Sequence, residues 1–256
     1  SVLTRPIMAD MGFTLSQTTW TFSLAILILG LSAGFLGSFA EKIGPKKSGL
    51  LAMLFWVTGL LGTAYALSIH NLTLLYLFYG IIGGIGLGIG YITPVSTLVK
   101  YFPNRPGFTT GLAIMGFGFA SLISGPLMQY LVAQVGLVDT FIILGVIYLV
   151  IMGASSLYLK APQPKHPTRT TKDKSTMYVH THGMLANDAM KTWQFGALWW
   201  VFFINITCGI GLLSLASPMA QEAIGMTPTA AASLVGIIGI FNGGGRIAWS
   251  TISDYL

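Results

Sequence analysis

The sequence predicts an all-α membrane protein, a bundle in which seven transmembrane helices are visible, and three observations predict it. Charged residues make up 8% of the 256 positions, against the roughly 25% of a soluble domain. So thin a charged skin cannot cover a globule of 27.4 kDa in water. Apolar residues reach 54%, and they gather in seven stretches long enough for the ~20 residues a helix needs to cross the hydrocarbon. Glycine, at 32 residues, suits helices in lipid because small side chains let backbones approach closely.

Taken in order, the expected spans are Leu15–Phe39, Gly49–Ile69, Leu72–Leu98, Phe108–Val132, Leu137–Leu159, Phe195–Met219 and Ala230–Ile252. Before the first lies Ser1–Phe13, a mixed polar stretch without the apolar run of a signal peptide. The third carries Gly80, Gly83, Gly84, Gly86, Gly88 and Gly90. That run lacks the spacing and the soluble βαβ setting of a dinucleotide site, whereas Gly80, Gly84 and Gly88 form a stripe at helical spacing for close packing. Ser121, Gly125 and Pro126 mark a similar stripe, with a kink, in the fourth span. Connections are short except for Lys160 to Gln194, rich in Pro, Thr and Lys and without apolar period, which reads as a flexible linker between five spans and two. Ser1 in place of Met, and a polar end at Leu256 that looks unfinished, suggest a piece of something longer.

Charge placement orients the bundle. One set of connections holds Lys42, Lys46, Lys47, Lys100, Arg105, Lys160, Lys165, Arg169, Lys172, Lys174 and Lys191, while the other, with the N-terminal stretch, holds only Arg5. The positive-inside rule then puts residue 1 outside, and the linker and residue 256 in the cytoplasm. The expected location is the plasma membrane.

A small residue, three others and an acid close a span at Gly37–Glu41 and again at Ser250–Asp254, which points to internal duplication of the kind that builds many secondary transporters. The whole loop Gly37-Ser-Phe-Ala-Glu41-Lys42-Ile-Gly44-Pro45-Lys46-Lys47 resembles the signature between the second and third helices of the major facilitator superfamily. That pattern reads Gly, three residues, Asp, Arg, one residue, Gly, then basic residues. Here Glu41 stands for Asp, Lys42 for Arg and Pro45 for the first of the basic run, with the spacing kept. The resemblance implies a partial facilitator bundle, helices two to eight of twelve. Residues 1–159 would then be the first half without its first helix, 160–194 the cytoplasmic linker, and 195–256 the start of the second half. Tyr91 after the glycine run, Tyr101–Gly107, Gly116-Phe117-Gly118 and Phe241-Asn242-Gly243-Gly244-Gly245-Arg246 further resemble the oxalate–formate antiporter and monocarboxylate transporter group.

Arg246 is the leading candidate for substrate binding. Arginine within a span costs about 2.5–3.5 kcal/mol on insertion scales, so it marks function by default, and its planar fork can grip a carboxylate twice. The plainer alternatives are snorkelling to the cytoplasmic end or pairing with Asp254, two turns away. The resemblance implies the substrate role, since that group has a substrate-contacting arginine in this helix. Asn242, four residues earlier on the same face, is placed to orient it. Tyr91 reads as either an interfacial or a cavity-facing phenol, and the resemblance implies the cavity. Phe117 and Thr19 fall where the oxalate exchanger has a tyrosine and a glutamine, so lactate or pyruvate fits at least as well as oxalate. Gly37, Glu41, Lys42, Gly44 and Asp254 are expected to form gating contacts between rocking halves.

Several function classes find no residues. Cys208 is the one cysteine, and His180-Thr-His182 lies in the linker without a ligand at metal spacing, so neither a metal site nor a cofactor is expected. No phosphate-binding loop or nucleophile–base pair appears, and enzyme function is not expected; nor is a nucleic-acid partner. None of the seven acids sits mid-span, which favours exchange of one anion for another over a proton relay within these helices. The expected function is secondary transport of small organic anions, mono- or dicarboxylates such as lactate, pyruvate, formate or oxalate, by alternating access and as an antiporter. The alternatives are a facilitator for uncharged or cationic substrates and, from another class, a seven-helix receptor.

Overall fold

The computed structural model describes residues 2–161 and 186–255, the side chains of Phe117, Ser121, Ala186 and Asn187 excepted. Every regular element among the described residues is helical. His180, His182 and most of the linker, with Lys165, Arg169, Lys172 and Lys174, lie outside them. Among the described residues, 2–161 and 214–255 pack as one unit and 186–213 as another. Packing therefore groups the last span with the first five, whereas the division expected from the sequence follows chain order.

In the first unit, α1 (Thr4–Met11), α2 (Leu15–Ile43), α3 (Pro45–Ser68) and α4 (Leu72–Tyr101) follow one another. The stretch Pro106–Tyr158 covers 53 residues; as one straight helix it would run roughly 80 Å, far beyond a ~30 Å hydrocarbon core. Gly136, at φ 84° and ψ 176°, breaks it into α5 (106–135) and α6 (137–158). A residue without Cβ meets that positive φ at no steric cost. The unit closes with α9 (Pro228–Ser253). In the second unit Ala186–Ala189 forms the single turn α7, and α8 (Trp193–Ala223) begins there, its residues from Ser214 onward belonging to the first unit. Six helices have the length and apolarity of membrane spans, and the break at Gly136 makes the spans seven, as expected.

Side-chain caps set the starts of α2, α4 and α9, the first two at the residues expected from hydropathy. Thr14 and Gln17 close a capping box at α2, the Thr14 N–H donating to Gln17 Oε1 at 3.0 Å and the Gln17 N–H to Thr14 Oγ1 at 3.2 Å. Asn71 and Thr227 accept from the Leu74 and Ala230 N–H groups in the same way. The chain stays helical through Pro126.

One element was not expected. Residues 4–11, read as part of a polar stretch, form α1, with Ile7 and Met11 buried among Leu60, Leu67, Leu75, Leu137 and Phe141. Two apolar residues four apart make one helical face, too short for any hydropathy window; only the core that receives them shows their purpose. Trp56 ties the same region together by edge and tilted contacts to Tyr148 and Tyr79, and Tyr79 in turn meets Phe141.

The glycines of α4 pack on two sides. Added Cβ atoms at Gly80, Gly84 and Gly88 would press into Leu24, Ile28 and Ser32 of α2, as their spacing predicted. A second face, Gly83, Gly86 and Gly90, lies against Trp56 and Ala52 of α3. Between these close backbones, Ser48 and Thr93 hydroxyls share a buried hydrogen bond of 2.6 Å. Such bonds between spans contribute about 0.6 kcal/mol on average.

Candidate functional site

From Gly107 to Gly125, α5 packs against α9 through small residues. A Cβ at Gly118 would lie 2.5 Å from the Gly243 nitrogen, one at Gly236 would be 3.1 Å from the Leu122 Cα, and one at Gly125 would be 3.3 Å from the Ala232 carbonyl. Gly116-Phe117-Gly118 and Phe241–Arg246, two stretches singled out separately in the sequence, thus meet backbone to backbone. The spacing that could have revealed this was present: Gly107, Gly111, Gly118 and Gly125 follow one face of α5 at steps of four and seven.

Arg246 is exposed on α9, beside the face that packs on α5. Its Nε donates to Asn242 Oδ1 at 2.9 Å, so the side chain leans toward the preceding turn, as helical side chains do, and away from the nearer helix end. Nη1 and Nη2 bond no described residue, and no described carboxylate lies within pairing distance. The pairing with Asp254 is not formed, because that carboxylate is engaged elsewhere.

Asp254 sits at the α9 C-cap. Its Oδ1 accepts from the Gly107 N–H at 2.8 Å and its Oδ2 from the Phe108 N–H at 2.7 Å. These are free donors of the first turn of α5, where Pro106 occupies the first helical position. A carboxylate there also meets the positive end of the helix dipole. Gly107 is required by proximity, since a Cβ would lie 2.6 Å from Asp254 Oδ1 and 2.8 Å from Ser253 Oγ.

The other acid-ended loop is built differently. Glu41, in the last turn of α2, pairs with Lys100 in the last turn of α4, both about half-exposed. Lys42 is exposed beside it. Gly44 has φ 82° and ψ 161° and precedes Pro45, which opens α3 at its first position; a glycine is needed for that φ, and proline is at home where no N–H partner exists. Gly37 stands 3.7 Å from Ile92 by its virtual Cβ, an ordinary contact. Sequence reading did not find Lys100 as a partner; its one local signal was a base in the last turn of a span.

These contacts gather the lysine-rich ends of the first unit. Glu41–Lys100, the Tyr101 hydroxyl on the Lys160 carbonyl at 3.0 Å, and Asp254 on α5 join the ends of α2, α4, α6 and α9 to the start of α5. At a rise of 1.5 Å per residue, Arg246, Tyr91, position 117 and Asn242 lie roughly 12–18 Å in from that end, whereas Thr19 lies roughly 36 Å in. Thr19 is therefore set apart in depth from the other four. Its hydroxyl donates back to the Leu15 carbonyl at 2.8 Å. Tyr91 is half-buried, and the Phe117 side chain lies outside the described residues.

Compared with known proteins, the sequence matches the profile described as Major Facilitator Superfamily over residues 1–256. The chain belongs to that superfamily. It is 29% identical over 256 residues to the uncharacterized MFS-type transporter YhjX of Escherichia coli (strain K12), covering 99% of this chain and 61% of that protein. It is 25% identical over 251 residues to the oxalate:formate antiporter of Oxalobacter formigenes, covering 98% of this chain and 57% of that one. The apicoplast pyruvate carrier 1 of Toxoplasma gondii is 22% identical over 302 aligned residues, 94% of this chain and 54% of the carrier. The chain thus spans a little over half the length of these superfamily relatives. Membership of a transporter superfamily sets the seven-helix receptor aside. A multi-pass membrane protein is what both the spans and the superfamily require.

Proposed function

We propose that this chain is part of a secondary carrier of small organic anions that works by alternating access and exchanges one carboxylate for another. The observation that carries the reading is Arg246: a guanidinium within a span, braced by Asn242, with both terminal nitrogens uncommitted to any described carboxylate. A permanent positive charge kept unpaired among helices is costly, and a substrate carboxylate offers the two acceptors its fork fits. Tyr91, with Phe117 as wall, would shape the space at the same depth. Thr19 does not share that depth and would act, if at all, elsewhere on the pathway. The names of the oxalate:formate antiporter and the pyruvate carrier support carboxylates as the substrate class.

In this reading residues 1–159 and 195–256 belong to two rocking halves joined by the cytoplasmic linker 160–194, and the lysine-rich end faces the cytoplasm of a plasma-membrane protein. Asp254 on the start of α5 is then a clasp between the halves, and the loop of Gly37, Glu41, Lys42 and Gly44 is its counterpart. The carrier is not an enzyme and needs no cofactor.

The test is exchange in proteoliposomes containing the full-length protein, preloaded with unlabelled oxalate, formate, lactate or pyruvate and offered the labelled anion. Arg246→Ala is expected to reduce uptake to background, and Arg246→Lys to keep a small fraction, because a point charge does not repeat the two-pronged grip. Full uptake by Arg246→Ala in a normally inserted protein would end the anion reading in favour of a carrier for uncharged or cationic substrates.

A further inference from the structure

The end of the bundle opposite the lysine-rich connections is also tied, through residues that neither the candidate site nor the signature loop includes. Arg5, on α1, donates from Nη2 to Glu222 Oε1 at 3.0 Å and from Nη1 to Gln221 Oε1 at 3.3 Å, both at the end of α8. Each side of the tie is held by its own surroundings. On one side Ile7 and Met11 are buried in a core built by α3, α4 and α6, and the Val2 carbonyl accepts from Gln129 Nε2 of α5 at 2.8 Å. On the other, Gln221 Nε2 donates to the fully buried Ser217 Oγ at 3.1 Å, which leaves Oε1 turned toward Arg5. A single guanidinium thus bridges residues more than 200 positions apart.

We propose that Arg5 with Gln221 and Glu222 is a latch that closes this end of the carrier, and that ionic strength releases it while leaving the Asp254 clasp at the other end largely unaffected. The proposal rests on the two-half reading above. The difference in salt response follows from exposure and donor type. The Arg5 and Glu222 side chains are 41% and 65% exposed, so dissolved ions reach both; the screening length falls from ~10 Å at 0.1 M to ~3 Å at 1 M salt. Exposed pairs of this kind are weak and screened. Asp254 instead accepts two short charge-assisted backbone N–H bonds in a part-buried setting, where dissolved ions screen much less.

The test uses the full-length carrier in nanodiscs with Cys208→Ser as background and spin labels at Asp10→Cys on α1 and Ile224→Cys after α8. Between about 0.05 and 1 M NaCl the fraction of long label-to-label distances is expected to rise two- to fivefold, the range an exposed ion pair supports. A second pair at Asn104→Cys and Tyr255→Cys, astride the Asp254 clasp, should not gain long distances over the same range. Glu222→Gln should show the high-salt distribution at low salt and lose the salt response, and the exchange R5E/E222R should restore it. Distances that ignore salt, a response that persists in Glu222→Gln, or a charge exchange that fails to restore it would each overturn the latch. These distances need no substrate, so a failed latch leaves the Arg246 uptake test standing, and a failed uptake test leaves the latch standing.

Discussion

The two acid-ended loops share a local pattern and use it in different ways. Gly37–Glu41 and Ser250–Asp254 each place an acid at the end of a helix. Glu41 turns to a lysine ammonium on α4, inside the first five spans and half in solvent. Asp254 turns to two backbone N–H groups at the start of α5, joining the last span to an earlier one. The pattern supplies a carboxylate at a helix end. What the carboxylate does depends on whether a free helix start or a mobile base lies across from it, and one stretch of sequence cannot say which. The difference also predicts unequal strength, since an exposed ion pair contributes about 0–1 kcal/mol, whereas part-buried donors left without their acceptor cost up to about 1–3 kcal/mol each.

Three tests break or sharpen that contrast. The largest effect is expected from Gly107→Val: its side chain would enter the space of Asp254 Oδ1 and Ser253 Oγ, and overpacking of this kind costs about 1–3 kcal/mol or more. Size-exclusion thermal melts in detergent should show a clear drop, whereas valine at Gly37, where only an ordinary contact with Ile92 exists, should be mild. Next comes Asp254→Ala, which leaves the Gly107 and Phe108 donors without their acceptor and should destabilise by about 1–3 kcal/mol, with faster hydrogen exchange confined to the first turn of α5. Unchanged protection of that turn would mean the clasp is ornamental. The smallest is Glu41→Gln, expected to cost under about 1 kcal/mol. A double-mutant cycle with Lys100→Met should return a coupling near that size that vanishes in high salt. A coupling above the Asp254 effect would reverse the ranking of the two loops.

Much of the architecture was legible because lipid imposes a length and a composition on every span. All seven spans and the charge asymmetry of their ends come from that constraint alone. The stripe Gly80, Gly84, Gly88 was legible for the same reason, since small residues at helical spacing have few other uses in an apolar helix. Other features were not legible. Helix α1 depends on Ile7 and Met11 finding a core made by Leu60 and Phe141, and those residues are distant in sequence. The second glycine face, Gly83, Gly86 and Gly90, became meaningful only once α3 lay against it. Within the candidate site, Arg246 and Asn242 are one turn apart on one helix, so their hydrogen bond could be anticipated from spacing. The depth of Thr19 could be anticipated too, since it opens a span whose other end carries Lys42.

The sequence by itself determined that the described residues hold seven helices of membrane-spanning length and apolarity, where each begins and ends to within a few residues, and that an arginine lies within the seventh. Those are local consequences of hydropathy, charge and helical period. Tertiary structure alone decided the partners: that Asp254 closes on the start of α5 rather than on Arg246, that Glu41 meets Lys100, and that Arg5 reaches Gln221 and Glu222. Such pairings join residues 59 to 217 positions apart, and no local rule of chain chemistry extends that far.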